Sequence, residues 1–143
     1  METTTWKGHQ LSRLMLGTVQ FGMPYGIANR TGQPDYGRSR AILAAAAEGG
    51  VNCVDTAAAY GASEEIVGRA LQELRLVDRM IVVTKVRALA PEESADPAKA
   101  AQAIEQSVDE SRRRLRLDCL PVVLFHREAD AVQLPVLEKL KAR

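Results

Sequence analysis

Several kinds of signal are missing from this 143-residue chain, and each absence closes off a class of function. It has only two cysteines, Cys53 and Cys119, too few for a disulfide framework. Each lies in an apolar run, so both read as buried thiols in a reducing cytoplasm. Neither sign of charge is in excess: 19 basic residues face 18 acidic ones, a net charge of +1. That balance gives no bulk attraction to nucleic acid or to an anionic lipid surface. The first ten residues are polar and lack the apolar stretch of a secretory leader. No apolar run approaches the ~20 residues needed to span a bilayer. No pair of Asp, His or Cys has recognisable metal-ligand spacing, so no metal is expected. Neither a linker nor a low-complexity segment interrupts the chain. What remains is a soluble cytoplasmic protein, long enough for one domain with a core of its own.

What is present is an alternation. Four short apolar runs, Leu14–Leu16, Val51–Val54, Met80–Thr84 and Leu120–Phe125, are rich in Val, Ile and Leu and read as buried parallel strands. Between them lie helical patterns with legible ends. The first runs from Tyr36 to Glu48, with Ile42 and Leu43 on its apolar face, and stops at Gly49-Gly50. Ser63 reads as the N-cap of the second, followed by Glu64 and Glu65 where the helix dipole favours acids. Asp96 and Pro97 open the third. Its Arg112, Arg113, Arg114 and Arg116 read as a solvated face. A last helix spans about Pro135 to Ala142. Ahead of the strands, Thr3 to Leu14 reads as a hairpin turning at Lys7-Gly8. A hairpin followed by four βα units predicts an α/β fold with a parallel sheet. Either an open doubly wound sheet or part of a (β/α)8 barrel satisfies the pattern.

The polar residues fall at one end of those strands. Asp55, Lys85 and His126 follow three apolar runs, and both architectures place active sites at C-terminal strand ends. Charged groups left unpaired there would cost several kcal/mol, which predicts that they pair. Tyr60 sits in the short loop after Asp55 and can reach the same rim. A free phenol, with a pKa of about 10, is a poor proton donor at neutral pH. An ammonium nearby lowers that value, and Lys85, kept charged by Asp55, is the ammonium at hand. His126 can orient a carbonyl oxygen beside the phenol. Nothing in the set can supply a hydride, which implies a cofactor. Each residue alone has an ordinary reading: a capping carboxylate, a solvated lysine, a structural histidine, a packed loop tyrosine. Their combination at successive strand ends favours chemistry.

The segment Asp55-Thr56-Ala57-Ala58-Ala59-Tyr60-Gly61-Ala62-Ser63-Glu64, followed by Gly68-Arg69-Ala70-Leu71, closely resembles the signature of the aldo-keto reductase family. Leu16-Gly17-Thr18 through Phe21-Gly22 resembles that family's first strand and loop. Thr84-Lys85 and Leu124-Phe125-His126 resemble its lysine and histidine strands. Tyr25-Gly26-Ile27-Ala28-Asn29-Arg30 resembles a bacterial subgroup. The resemblance implies a (β/α)8 TIM-barrel type fold, with residues 1–143 forming the N-terminal part of a single domain: the hairpin and about four βα units, a half-barrel. It implies Asp55, Tyr60, Lys85 and His126 as a catalytic tetrad, and NADPH, less often NADH, across the C-terminal face. Gly17, Thr18 and Asp55 would lie near its nicotinamide. The substrate would be a small-molecule aldehyde, ketone or sugar carbonyl. Eight βα units take ~250 residues, so the chain is expected to be truncated and to lack most of the cofactor site. The alternative is a non-catalytic half-barrel that pairs with itself as a homodimer or with a complementary half. An unrelated doubly wound sheet is disfavoured, because Gly17-Thr18-Val19-Gln20-Phe21-Gly22 does not fit a phosphate-binding G-x-G-x-x-G turn.

Overall fold

The computed structural model describes residues 1–141. Strands β1 (Thr3–Trp6) and β2 (His9–Ser12) pair antiparallel across a two-residue turn. Lys7 and Gly8 both have positive φ, 47° and 83°, as a tight hairpin turn requires. The hairpin is tied to the rest through Ser12 and Asn52. Ser12 N–H donates to Asn52 Oδ1 at 2.8 Å, and Asn52 N–H donates to Ser12 Oγ at 3.0 Å.

Four parallel strands follow: β3 (Leu16–Gly17), β4 (Cys53–Asp55), β5 (Ile81–Val86) and β6 (Val122–Phe125). They pair in chain order, β3-β4-β5-β6. A doubly wound sheet reverses its strand order at a switch point; a barrel does not. The monotonic order therefore selects the barrel alternative. Between the strands lie α1 (Val19–Gly22), α2 (Tyr36–Glu48), α3 (Ser63–Glu73), α4 (Pro91–Ser94) and α5 (Pro97–Leu115). A 3-10 turn (Glu128–Gln133) leads into α6 (Leu134–Lys141).

Strand alternation decides which side chains face the helices. Val54 and Val82 meet Leu43 of α2, Val67 and Leu71 of α3, and Leu115 of α5 in one buried cluster. Val86 packs with Leu89, Ala100 and Ile104 in a second, flanked by Val123 and Phe125. A fully buried leucine or isoleucine in such a layer contributes roughly 1.5–3 kcal/mol. The larger part of the core thus lies between sheet and helices; the other strand face carries buried Cys53 and Val83 and, nearer the C-terminal ends, Gly17, Asp55, Lys85 and Leu124.

Several boundaries differ from the sequence reading. β3 starts at Leu16 because Leu14 lies in a bend, where its O accepts from Ser12 Oγ, and Leu14 and Met15 are 61 % and 49 % exposed. Cys119 is exposed, correcting its reading as a buried thiol; it sits in the loop before β6 and not in the strand. Cys53 is buried as expected. On α2 Leu43 is fully buried and Tyr36 and Ala47 pack against the same cluster, while Ile42 is 38 % exposed. Asp96 caps α5 by accepting from Ala98 N–H and Lys99 N–H. Ser63, read as a cap, is instead the first helical residue of α3 and Ala62 holds the cap position. Arg112, Arg113 and Arg116 are exposed, but Arg114 is half-buried and reaches Glu64 and Glu110. The expected end of the last helix, Ala142, lies outside the described residues. No helix among them is long and apolar enough to cross a membrane.

Candidate active site

Asp55 is the last residue of β4, Lys85 lies one residue from the end of β5, and His126 follows β6 directly. Backbone bonds fix the height of each. Thr18 N–H donates to Asp55 O at 3.0 Å, Ala58 N–H to Lys85 O at 3.2 Å, and His126 N–H to Val86 O at 3.2 Å. Tyr60 is carried in from the β4–α3 loop.

The side chains meet. Lys85 Nζ donates to Asp55 Oδ1 at 2.6 Å and to Thr56 O at 2.9 Å, with both partners of the ion pair mostly buried. The same ammonium lies 5.0 Å from the centroid of the Tyr60 ring, within cation–π range. The Tyr60 and His126 rings meet edge to face, centroids 5.8 Å apart at 80°. All four residues singled out for chemistry therefore converge at one rim. Of the two others expected near a cofactor, Gly17 is exposed at the end of β3, in register with Asp55. Thr18 is fully buried, its hydroxyl donating to Asp55 O at 2.7 Å.

The Tyr60 loop is seated on glycine. A Cβ on Gly22 would lie 1.6 Å from Tyr60 O and 2.5 Å from Ser63 N, so no side chain fits there without moving the loop. Gly61 reciprocates: it has φ +55° and a Cβ on it would strike Gly22 O at 2.3 Å. These glycines do more than permit turns, because their bare backbones let α1 and the tyrosine loop touch.

Beneath the rim, burial pushes the Cys53 thiol up and the Asp55 charge adds to it, against an opposing hydrogen bond from Val54. Cys53 is thereby kept neutral and serves as packing. Beside the rim, two loops are pinned by ion pairs that sequence reading missed. Arg87 grips Glu93 with two bonds, 2.8 and 2.7 Å, and Glu93 also accepts from Ala90 N–H. The Arg87 guanidinium, with that backbone bond, lowers the Glu93 carboxyl to about 2. Arg127 holds Asp130 at 2.9 and 3.1 Å and donates to Leu89 O, while Leu89 N–H donates back to Asp130 Oδ2. Arg127 is the main reason the Asp130 carboxyl sits below its ordinary value. The available signal was the i, i+3 spacing of Arg127 and Asp130; nothing local linked either to Leu89. Among the described residues, no three His, Cys, Asp or Glu side chains group to hold a metal ion.

The parallel sheet runs in barrel order, with an acid, a phenol, an ammonium and an imidazole at its C-terminal rim, the end at which barrel enzymes carry their active sites. The chain belongs to the Aldo/keto reductase family, whose sequence model matches residues 13–142. It is 33% identical over 122 residues to the aldo-keto reductase YhdN of Bacillus subtilis, a match covering 83% of this chain and 35% of that protein. Among solved structures it resembles the aldo-keto reductase AKR11C1 of Bacillus halodurans in its holo form. That match has a TM-score of 0.75 and 25% identity, and covers 99% of this chain and 47% of the other. It also resembles an aldo-keto reductase of Klebsiella pneumoniae in complex with NADPH, with TM-score 0.64, 29% identity, and coverage of 95% and 43%. The chain thus spans about a third of the curated relative and under half of each of these structures.

Proposed function

We propose that this chain carries the proton-donor half of a nicotinamide-dependent carbonyl reductase site, with Tyr60 as donor to the oxygen of an aldehyde, ketone or sugar carbonyl. The observation that carries the proposal is the placement of Lys85, bonded to Asp55 and set beside the Tyr60 ring, with the His126 ring edge to face with the same tyrosine. The family membership and the NADPH-bound relative support the cofactor class.

The rim fits such a cofactor. A Cβ added at Gly17 would meet nothing within 4 Å, so the surface beside Asp55 is open. Gly17 and Asp55 would hold the nicotinamide end, and buried Thr18 would shape it from beneath. A nicotinamide bound there supplies hydride, the one component these side chains lack. The residues of the chain do the rest. His126 orients the carbonyl oxygen and offers it a hydrogen bond. Tyr60 gives its hydroxyl proton to that oxygen as negative charge develops on it, leaving an alcohol. The positive charge of Lys85 stabilises the phenolate left behind, and Asp55 holds Lys85 in place.

Assay of the whole protein with NADPH and a panel of aldehydes and ketones tests this. Carbonyl-dependent loss of NADPH absorbance is expected, and its absence across the panel contradicts the proposal.

A second reading is favoured by the open flanks of the sheet. Among the described residues, β3 pairs only with β4 and β6 only with β5, and Leu124 on the inward face is 45 % exposed. These edges and this face suit association with further βα units, from a second copy or from a complementary half.

A further inference from the structure

We propose that Ser63 and Glu64, the first two residues of α3, are positioning residues that clamp from behind the backbone stations of Asp55, Tyr60 and Lys85. The proposal rests on the reading of Tyr60 as proton donor.

Ser63 is fully buried. Its N–H donates to Tyr60 O at 3.0 Å, which fixes the tyrosine loop to the helix. Its hydroxyl oxygen lies 2.8 Å from both Thr18 O and Thr18 Oγ1, and 3.0 Å from Thr56 Oγ1. The Thr18 hydroxyl spends its proton on Asp55 O. Ser63 is then left to donate to Thr18 and to accept from Thr56, a consistent one-way chain of donors. Thr56 in turn presents its carbonyl to Lys85 Nζ at 2.9 Å. One serine therefore meets supports of all three residues, yet its side chain has no surface at the rim.

Glu64 completes the clamp on β5. It is 1 % exposed; Oε1 accepts from Thr84 Oγ1 at 2.7 Å, and Oε2 lies 3.5 Å from Arg114 Nη1 on α5. Thr84 immediately precedes Lys85, and adjacent strand residues point to opposite faces. Holding Thr84 on the helix side sets the direction in which Lys85 leaves the strand on the other. A buried carboxyl is a costly way to pack a helix, and Val67 and Leu71 already pack this one. The four hydroxyl residues, Thr18, Thr56, Ser63 and Thr84, and the Glu64 carboxyl are better explained as a scaffold that fixes strand-end geometry.

The test is steady-state kinetics on the whole protein, with folding of each variant checked by circular dichroism. Thr84→Val removes the hydroxyl and nearly keeps the shape; Ser63→Ala removes one oxygen; Thr84→Ser restores the hydroxyl. Ser63→Ala and Thr84→Val should lower kcat on the order of tenfold to a hundredfold, the scale of an ångström-level misplacement. KM for NADPH and for the carbonyl should stay within about twofold, since nothing that binds them is removed. Thr84→Ser should recover most of the lost kcat. If Thr84→Val does not fold, Ser63→Ala and Thr84→Ser carry the test. Unchanged kcat in Ser63→Ala and Thr84→Val, a matching rise in KM, or a Thr84→Ser variant as slow as Thr84→Val overturns the clamp. Tyr60→Phe run alongside separates the causes. If it is inactive while the clamp variants turn over normally, the clamp alone fails. If it turns over normally, the proton-donor reading fails and the clamp falls with it.

Discussion

Asp55 and Lys85 end strands whose backs are buried against α3, tied down by Thr18, Ser63, Thr56, Thr84 and Glu64. His126 ends a strand of another kind. The inward-facing Leu124 beside it is 45 % exposed, and His126 itself is held by one backbone bond to Val86 and by an edge-to-face contact with the Tyr60 ring. The imidazole is exposed and makes no hydrogen bond among the described residues. The middle of the sheet is therefore a finished support, and its β6 flank is finished only on the helix side. The difference teaches that the acid, phenol and ammonium need nothing beyond this chain to find one another. The imidazole stands on a flank where β6 pairs only with β5 among the described residues.

The largest effect expected from this contrast concerns association. The 143-residue chain by itself should scatter light as a dimer or larger species, or bind an apolar dye strongly, because inward-facing Leu124 is exposed and two strand edges are unpaired among the described residues. A compact monomer with weak dye binding would show that the β6 flank is as complete as the middle. A smaller effect should come from the pinned loop beside the rim. Glu93 is held at about 2 against an ordinary 4.5. A carboxyl lowered on folding stabilises the native state above its ordinary value, and that contribution is lost as pH falls toward the folded value. Glu93→Gln should lower the melting temperature at pH 7 by a few degrees at most, since the pair is partly solvated. The gap from the parent should close between about pH 4.5 and 2. A gap that does not change with pH would show that the Arg87 pairing contributes no charge-dependent stability.

Much of this molecule was legible in its sequence because the signals were local. The glycine pair Gly49-Gly50 marks the end of α2 at Glu48, and Asp96-Pro97 marks the start of α5. The site residues were legible because polar groups at the ends of apolar strands are conspicuous. The misses share one physical cause: they depended on partners distant in sequence. Ser63 looks like a cap, and only the approach of Thr18, 45 residues away, turns it into a hub. Glu64 looks like a dipole-favoured surface acid until Thr84 and Arg114 bury it. Cys119 sits in an apolar run that turns out to be a loop. The sequence pattern left two sheet architectures open, and strand order, a property of the whole sheet, decided between them.

The central claim is that the Tyr60 hydroxyl delivers the proton at a rim prepared by Lys85 and Asp55. Turnover of Tyr60→Phe in the whole protein, followed by NADPH absorbance beside a fluorescence titration of cofactor affinity, tests it most directly. In that variant kcat should fall roughly 10²–10⁴-fold, the usual worth of a positioned acid, while NADPH binds as before. A phenylalanine variant that reduces the carbonyl at the parent rate would contradict it.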